Sequence, residues 1–559
     1  MEFLFRERKR LKRILPTKLQ QMSIFNQIQT AKPRSNTFNL SHDRKMSMQM
    51  GTLTPTLCMD VLPGDKIMLN STQMLRFAPM IAPVMHRIDV YQHFFFVPNR
   101  LLWDKWEDFI TGGEDGLDNS VFPTLYANKE NTKAGTLLDY LGIPALQNPS
   151  TNLDISALPV AGYNKIYNEY YRDQNLITKL DDTLNSGHNM LDPILKYRSW
   201  QHDYFTSALP WTQKGEEATI PLLGEADISF QPYVEPQLGH DLIKNYDGSV
   251  PSGAFGSSFY NVYHETNDPT NPNISSTLKT GQSTTASTKR TIDNSPWLKA
   301  DLSSANSTSI NDLRQAFRLQ EFLEKNARGG SRYIEVIKSH FGVTSSDARL
   351  QRPEYLGGGK SPVTISEVLQ TSDPVNNNST PQGNMAGHGI NVGGGNRFSY
   401  RAQEHGYIIG IMSIMPKTAY FQGTPKHFTK FDKFDYYFPS FAHLGEQPIT
   451  TGEIFTTMTV KDDVVFGYTP RYAEYKHHLS SVHGEFRDTL KYWHMARDFQ
   501  TQPYLNEEFI NADINAGGLD RIFAVQGTEE NESEQIYAHI FHDLKAKRLM
   551  PYFGTPKGV

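Results

Sequence analysis

The chain is almost free of thiols: Cys58 is its one cysteine in 559 residues. It can form no intrachain disulfide and no multi-thiolate metal site, which excludes the disulfide-stapled secreted scaffold and the zinc ribbon. Long apolar runs are missing as well. Stretches such as Tyr407 to Met415 fall far short of the roughly 20 residues that cross a bilayer, and mean hydropathy is −0.52. No membrane insertion is expected. Secretion is not expected either, because Arg6, Arg8, Lys9, Arg10, Lys12 and Arg13 leave no window for the apolar run of a signal peptide. A soluble protein of a reducing compartment is the reading that remains.

A dominant charge is the next absence. Lys and Arg number 55 against 60 Asp and Glu, a formal charge of −5, too close to neutral to mark the whole chain as a polyanion binder. The charge is uneven, however. Residues 1–50 hold 11 Lys and Arg against 3 acids, while the other 509 residues hold 44 against 57. The chain therefore opens with a basic arm, residues 1–35, ahead of a mildly acidic body.

Enzyme signatures fail on spacing. The glycine runs Gly357-Gly358-Gly359-Lys360-Ser361 and Gly393-Gly394-Gly395 invite a phosphate-loop reading, but the Walker pattern needs glycine where Glu354 stands. A flexible turn is the better expectation there. No His-x-His occurs, so two histidines cannot reach one metal from one face of a strand. The close groups His477-His478 with His483, and His539 with His542-Asp543, lack the His-Glu-x-x-His spacing, and no Gly-x-Ser-x-Gly elbow is present. No catalytic residue, metal or cofactor is expected. The rival reading is a jelly-roll carbohydrate-binding or hydrolytic protein, since sixty acidic residues guarantee chance carboxylate pairs.

Pattern then speaks for strands. Met59 to Leu69 and Ile88 to Val97 are rich in β-branched and aromatic residues and are punctuated by Pro63-Gly64-Asp65 and Pro98-Asn99. Tyr407 to Met415 reads as a strand buried on both faces, and Phe428 to Phe438, alternating Phe with Lys or Asp, as one with a wet face. Helical stripes are fewer. Tyr163, Ile166, Tyr167, Tyr170 and Tyr171 form one, read as core. Leu313, Ala316, Phe317 and Leu323 form a second, capped by Asn311 or Asp312 and stopped at Gly329-Gly330. Tyr333, Val336, Ile337, His340 and Phe341 form a third that stops at Gly342. Strands dominate and helices are inserted, which favours a β-rich domain with long decorated loops. From Thr266 to Thr288, 17 of 23 residues are Ser, Thr, Asn, Gly or Pro, a tract with almost nothing to bury.

Several blocks carry a family resemblance. They include Asn36-Thr-Phe-Asn-Leu-Ser-His-Asp43, Leu75-Arg-Phe-Ala-Pro-Met-Ile-Ala-Pro-Val-Met-His86, His93-Phe-Phe-Phe-Val-Pro-Asn-Arg-Leu-Leu-Trp103, Tyr163-Asn-Lys-Ile-Tyr-Asn-Glu-Tyr-Tyr-Arg-Asp173, His202-Asp-Tyr-Phe-Thr-Ser-Ala-Leu-Pro-Trp211 and Phe466-Gly-Tyr-Thr-Pro-Arg-Tyr-Ala-Glu474. In this order they resemble the major capsid protein of the microviruses, small icosahedral single-stranded DNA bacteriophages, and specifically the gokushovirus-like group. The resemblance covers nearly the whole chain from residue 36.

It implies a mainly β fold: an eight-stranded antiparallel β-jelly roll of the viral capsid type, with large loop and helix insertions, over residues 36–559. It also implies a homo-oligomer of about 60 copies, a T=1 shell enclosing circular single-stranded DNA. Implied partners are that DNA, phage DNA pilot and internal scaffolding proteins, and a receptor on the bacterial host surface, with assembly in the host cytoplasm and residence in the virion. An insertion at residues 225–310, ahead of Leu313-Arg-Gln-Ala-Phe317, is implied to protrude at the three-fold axes for host attachment, with Thr266, Asn271, Thr277, Thr284 and Thr288 in its contact loop. The family pattern opens near Phe38, so the leader is a departure: Met22 is an alternative start, and residues 1–21 are then absent from the mature chain.

Enclosed DNA needs cations, and aromatic rings add stacking without reading sequence. Two terminal segments qualify: Lys32, Arg34, Arg44 and Lys45 beside Phe38, and Lys545, Lys547, Arg548 and Lys557 beside Tyr552 and Phe553. Cys58, within the apolar Leu57 to Leu62, is expected to be a small buried hydrophobe.

Overall fold

The computed structural model describes residues 35–114, 117–147, 152–191, 193–215, 310–330, 332–342, 344, 346–371, 383–513, 518–525 and 534–553, and, between 216 and 309, the backbone of short strands alone. The chain divides into two compact units, one of Met1–Lys214 with Glu324–Val559 and the other of Gly215–Leu323.

The larger unit begins with β1 (Asn36–Asn39), β2 (His42–Met48), β3 (Thr54–Val61), β4 (Lys66–Phe77), β5 (Ile88–Pro98), β6 (Thr124–Ala127) and β7 (Leu153–Ser156). In the smaller unit lie β8 (Ile228–Phe230), β9 (Ile243–Asn245), β10 (Asn261–Glu265), β11 (Thr277–Gly281), β12 (Arg290–Ile292) and β13 (Leu298–Ala300), paired as β10-β11-β12-β9 and β13-β8. The larger unit resumes with β14 (Glu354–Pro362), β15 (Thr364–Leu369), β16 (Met385–Arg401), β17 (Gly406–Pro416), β18 (Glu446–Thr450), β19 (Val465–Pro470) and β20 (Ile536–Arg548). The expected insertion 225–310 falls within the smaller unit. Of its five named threonine and asparagine positions, Thr277 opens β11 opposite Glu265; Thr266, Asn271, Thr284 and Thr288 lie outside the described residues.

Two antiparallel sheets make the larger unit mainly β. One has the order β1-β20-β4-β16-β15, with β2 pairing the first half of β20; the other runs β14-β5-β17-β3. Their facing sides share one interior. Leu57 and Ile408 from the second sheet pack with Ile67, Leu69, Phe398 and Leu544 from the first around Phe94 and Phe96, and a second cluster joins Leu75, Phe77 and Ile540 to Val90, Met412 and Ile414. Between the two apolar clusters runs a buried polar belt. Gln73 Nε2 donates to Asn391 Oδ1 at 3.1 Å, Asn391 Nδ2 donates to the Pro362 carbonyl at 2.7 Å, and Asn396 Nδ2 donates to Gln92 Oε1 at 2.9 Å. Such bonds spare these buried amides most of the cost of desolvation.

The outer side of the second sheet is covered. Helix α1 (Leu158–Ile166), prolonged by a π turn at Tyr167–Tyr171, lays Ala161, Tyr163 and Ile166 against Phe95, Val97, Ile409 and Ile411. Tyr163 is fully buried and donates its hydroxyl to the Leu53 carbonyl at 2.9 Å, so the aromatic stripe is core, as its period indicates. β17 is buried on both faces for the same reason. Cys58, half-buried on β3, packs at the edge of this cluster, and burial pushes its thiol up to about 11.

Three expectations are corrected. Phe428 to Phe438 is no strand: 3-10 turns at Lys426–Phe428 and Lys433–Asp435 replace it, and Phe431 is 90% exposed. The Asp435 carboxylate takes the backbone N–H groups of Phe431 and Asp432 at 2.9 and 2.8 Å, a local alternative to a ladder. The two glycine runs are not turns but strand: Gly357–Gly359 lie in β14 after a bulge, and Gly393–Gly395 in β16 at another. At Gly358, with φ of 159°, a Cβ would stand 2.2 Å from the Gln92 carbonyl oxygen, so only glycine lets β14 approach β5. Helix α2 (Ile310–Gly329) starts ahead of Asn311 and Asp312, which sit in its first turn instead of capping it; α3 (Tyr333–Phe341) ends at left-handed Gly342 as expected.

Candidate nucleic-acid interface

Among the described residues the first sheet is covered on one side only. Along β20 burial alternates residue by residue, with Ile536, Ala538, Ile540, His542, Leu544 and Ala546 inward and Tyr537, His539, Phe541, Lys545 and Lys547 outward. β4 repeats the alternation, with Lys66, Met68, Asn70, Thr72 and Arg76 outward. In β16, Arg397, Ser399 and Arg401 follow. Register then fixes which residues share a row. Lys547 stands opposite Lys66, and Lys66 opposite Arg401, so one rung carries three cations. Two residues in, Lys545, Met68 and Ser399 form the next rung, and Asp543, Asn70 and Arg397 the one after. At the far end Tyr537 faces Arg76, and Lys45 on β2 faces His539.

Like charges directly opposite each other on a sheet oppose its pairing. Acids do little to relieve them. On this face Asp43 is spent on His539, at 2.8 Å, and Asp543 lies 4.0 Å from Lys545. Among the described residues no ion pair joins Lys45, Lys66, Arg76, Arg397, Arg401 or Lys547 to a carboxylate. Between the cations the rings of Tyr537 and Phe541 are 52% and 40% exposed. A wet sheet face with an uncompensated cation ladder and open aromatic rings can hold a phosphate backbone and stack bases.

The sequence-expected residues divide. The two terminal segments come together: β1 and β2 both pair with β20, and Phe38 stacks on Tyr552 with ring centroids 5.5 Å apart. Lys45, Lys545 and Lys547 lie on the open face. Arg44 points the other way, donating to the Thr56 carbonyl at 3.3 Å and to the Tyr140 carbonyl, and burial lowers its pKa. Arg548 Nε sits 3.2 Å from Asp65 Oδ2, and its Nη2 donates to the Asp60 carbonyl at 3.2 Å. Lys32, Arg34 and Lys557 lie outside the described residues. Lys66, Arg76, Arg397 and Arg401 were missed, because no local cluster marks them. The signal that could have found them is parity: Lys66 and Arg76 share the even positions of β4 with Met68, Asn70 and Thr72, opposite to its apolar Ile67, Leu69, Leu75 and Phe77.

Of the buried histidines, His542 faces the interior under this sheet, its Nε2 3.1 Å from the Thr56 carbonyl, and burial lowers its pKa to about 4. It is a neutral core group at pH 7.

The model of the family described as "Capsid protein (F protein)" matches residues 26–557. The chain belongs to this family. It is similar to the capsid protein VP1 of Bdellovibrio phage phiMH2K, 37% identical over 95% of this chain and 97% of that one, and to capsid protein VP1 of Chlamydia phage 1, 34% identical with the same coverage. Capsid protein VP1 of Spiroplasma virus 4 is 31% identical over 94% of this chain and 95% of its own. The resemblance carried by the sequence blocks is thereby borne out.

Proposed function

We propose that the chain is the major capsid protein of a microvirus, a structural protein that self-assembles into the icosahedral shell of a virion and performs no catalytic step. The observation that carries this reading is the family match from residue 26 to residue 557, with full-length relatives that are themselves capsid proteins. The finer reading is an eight-stranded jelly roll. Its support is chain order: numbering β2, β3, β4, β5, β14, β16, β17 and β20 from first to eighth, one sheet reads 1-8-3-6 and the other 2-7-4-5, the order two interlocked Greek keys produce. β1 and β15 are then additions at the edges.

The shell is read as T=1, about 60 copies related by closed symmetry, around single-stranded DNA. Pilot and internal scaffolding proteins would act during assembly in the host cytoplasm, and the 225–310 insertion, with its Thr266 to Thr288 tract, would protrude at the three-fold axes toward a host receptor. The open face of the first sheet is the DNA-facing side in this reading, with Lys45, Lys545 and Lys547 joined by Lys66, Arg76, Arg397 and Arg401. Arg44 and Arg548 act as structural groups, since their guanidinium groups are committed to the protein. Lys32, Arg34 and Lys557 extend the same charge from the termini.

The test is expression of the full chain with and without its phage partners, followed by size-exclusion chromatography and electron microscopy. Closed shells of uniform diameter are expected, and brief proteolysis of those shells should cut first within residues 266–288. A persistent monomer that binds or cleaves glycans would overturn the reading.

A further inference from the structure

The opposite sheet carries a second cationic site that the capsid reading does not use. Beside the outer side of β5 lies a cavity of about 590 Å³, floored by Tyr91, His93 and Phe95 at alternate positions of the strand and walled by Tyr171 and Tyr355. Arg198 stands in it with its guanidinium carbon 4.0 Å from the centre of the Tyr91 ring and 5.9 Å from that of Tyr171. Its one side-chain hydrogen bond is from Nη1 to Ser413 Oγ, at 2.8 Å, and no carboxylate pairs with it among the described residues. The neighbouring Arg352 is different: it lies 3.3 Å from Asp347 and 3.9 Å from Glu169 and is neutralised.

Lys417 lines the same cavity, 3.9 Å from the buried Asp89. Burial lowers the Lys417 pKa, and Arg87, Lys360 and Arg198 push the same way against Asp89 alone. Of the cations that line the cavity, Arg198 has no carboxylate partner among the described residues and Lys417 has the buried Asp89, so an anion would relieve the charge left on Arg198. The walls specify more than charge. His93 accepts or donates at 2.8 Å to the Tyr171 hydroxyl and is kept neutral by burial, with a pKa of about 4, so the floor offers flat aromatic faces with neutral polar edges. Arg198 supplies a planar fork suited to phosphate oxygens.

We propose that this cavity binds a nucleotide, its base against the Tyr91, His93, Tyr171 and Tyr355 faces and its phosphate between Arg198 and Lys417. The ligand class follows from the pairing of stacking surfaces with a surplus cation, and the same chemistry is offered by a free nucleoside monophosphate or by one residue of a single DNA strand. The site stands apart from the face assigned to DNA above, because it lies on the other sheet.

Isothermal titration of the full chain with dTMP, dAMP, thymidine and inorganic phosphate tests it. One saturable site per chain is expected, with each nucleotide about tenfold or more tighter than thymidine or phosphate alone. Arg198→Gln and the milder Lys417→Gln should each weaken nucleotide binding, by about tenfold for Arg198, while Lys129→Gln, at an exposed cation that belongs to neither the cavity nor the open face, leaves it unchanged. Competition by oligothymidylate at the same site assigns the ligand to a DNA strand; its failure to compete assigns it to a free nucleotide. Absence of saturable binding, equal affinity for phosphate and nucleotide, or full affinity in both Arg198→Gln and Lys417→Gln overturns the proposal.

Discussion

Strands β17 and β20 run through the centres of the two sheets and have opposite surroundings. β17 is Gly-Tyr-Ile-Ile-Gly-Ile-Met-Ser-Ile-Met-Pro, buried at nearly every position because α1 and its flanking loops cover the side that faces away from the sandwich. β20 alternates without a break, because among the described residues nothing covers its outward side. A sheet covered on both sides is held by packing and is intolerant of change; a sheet open on one side keeps the outward half of its residues for other uses. The placement of like charges in register belongs to the second kind.

The largest effect should come from cutting the same residue type on the two kinds of surface. Phe94→Ala empties a fully buried site between the sheets and is expected to cost about 3–5 kcal/mol, whereas Phe541→Ala, on the open face, should cost less than about 1 kcal/mol. Urea unfolding of the two purified variants checks the contrast, and equal losses would mean that the open face is covered after all.

Acid should act next. His542 titrates near 6.5 in an unfolded chain and near 4 when folded, chiefly through burial, so between those values the unfolded state holds more protons. Its contribution is complete above about pH 6.5 and is lost as the pH falls toward 4, on the order of 3 kcal/mol in all. His86 and His93, lowered to about 4 by burial, titrate in the same direction. His542→Gln should flatten part of the slope of stability against pH between 4 and 6.5; an unchanged slope would show that the imidazole is not held neutral.

The cation ladder gives a smaller stability effect but one of diagnostic sign. Lys66→Glu places an acid between Lys547 and Arg401 and should stabilise the isolated chain by roughly 0.2–1 kcal/mol, while lowering the fraction of shells that contain DNA. Thermal unfolding together with the nucleic-acid absorbance of purified particles reads both. A variant that is less stable, or that packages normally, would count against the open face as the DNA side. Smallest is the effect at Cys58: with its thiol pushed up to about 11 at the edge of the covered side, alkylation of native protein at pH 8 should be slow and should accelerate on denaturation.

Sequence alone determined what depends on local order. The apolar run of β17, the Ile88 to Val97 strand, the tyrosine stripe of α1 and the glycine stop of α3 are written in consecutive residues, because burial on two faces, burial on one helical face and a left-handed stop each leave a short-range pattern. The long blocks, in their order along the chain, were enough to indicate the family. Reading failed where a side-chain acceptor or a neighbouring strand overrode the local pattern, as when Asp435 curled Phe428 to Phe438 into turns and when pairing with β5 drew Gly357 to Gly359 into a strand. Only tertiary structure decided the candidate surfaces. Lys66, Arg401 and Lys547 are each more than a hundred residues apart and become one row through strand register, and Arg44 and Arg548, next to surface cations in sequence, turn inward because the parity of a strand sends neighbours to opposite sides.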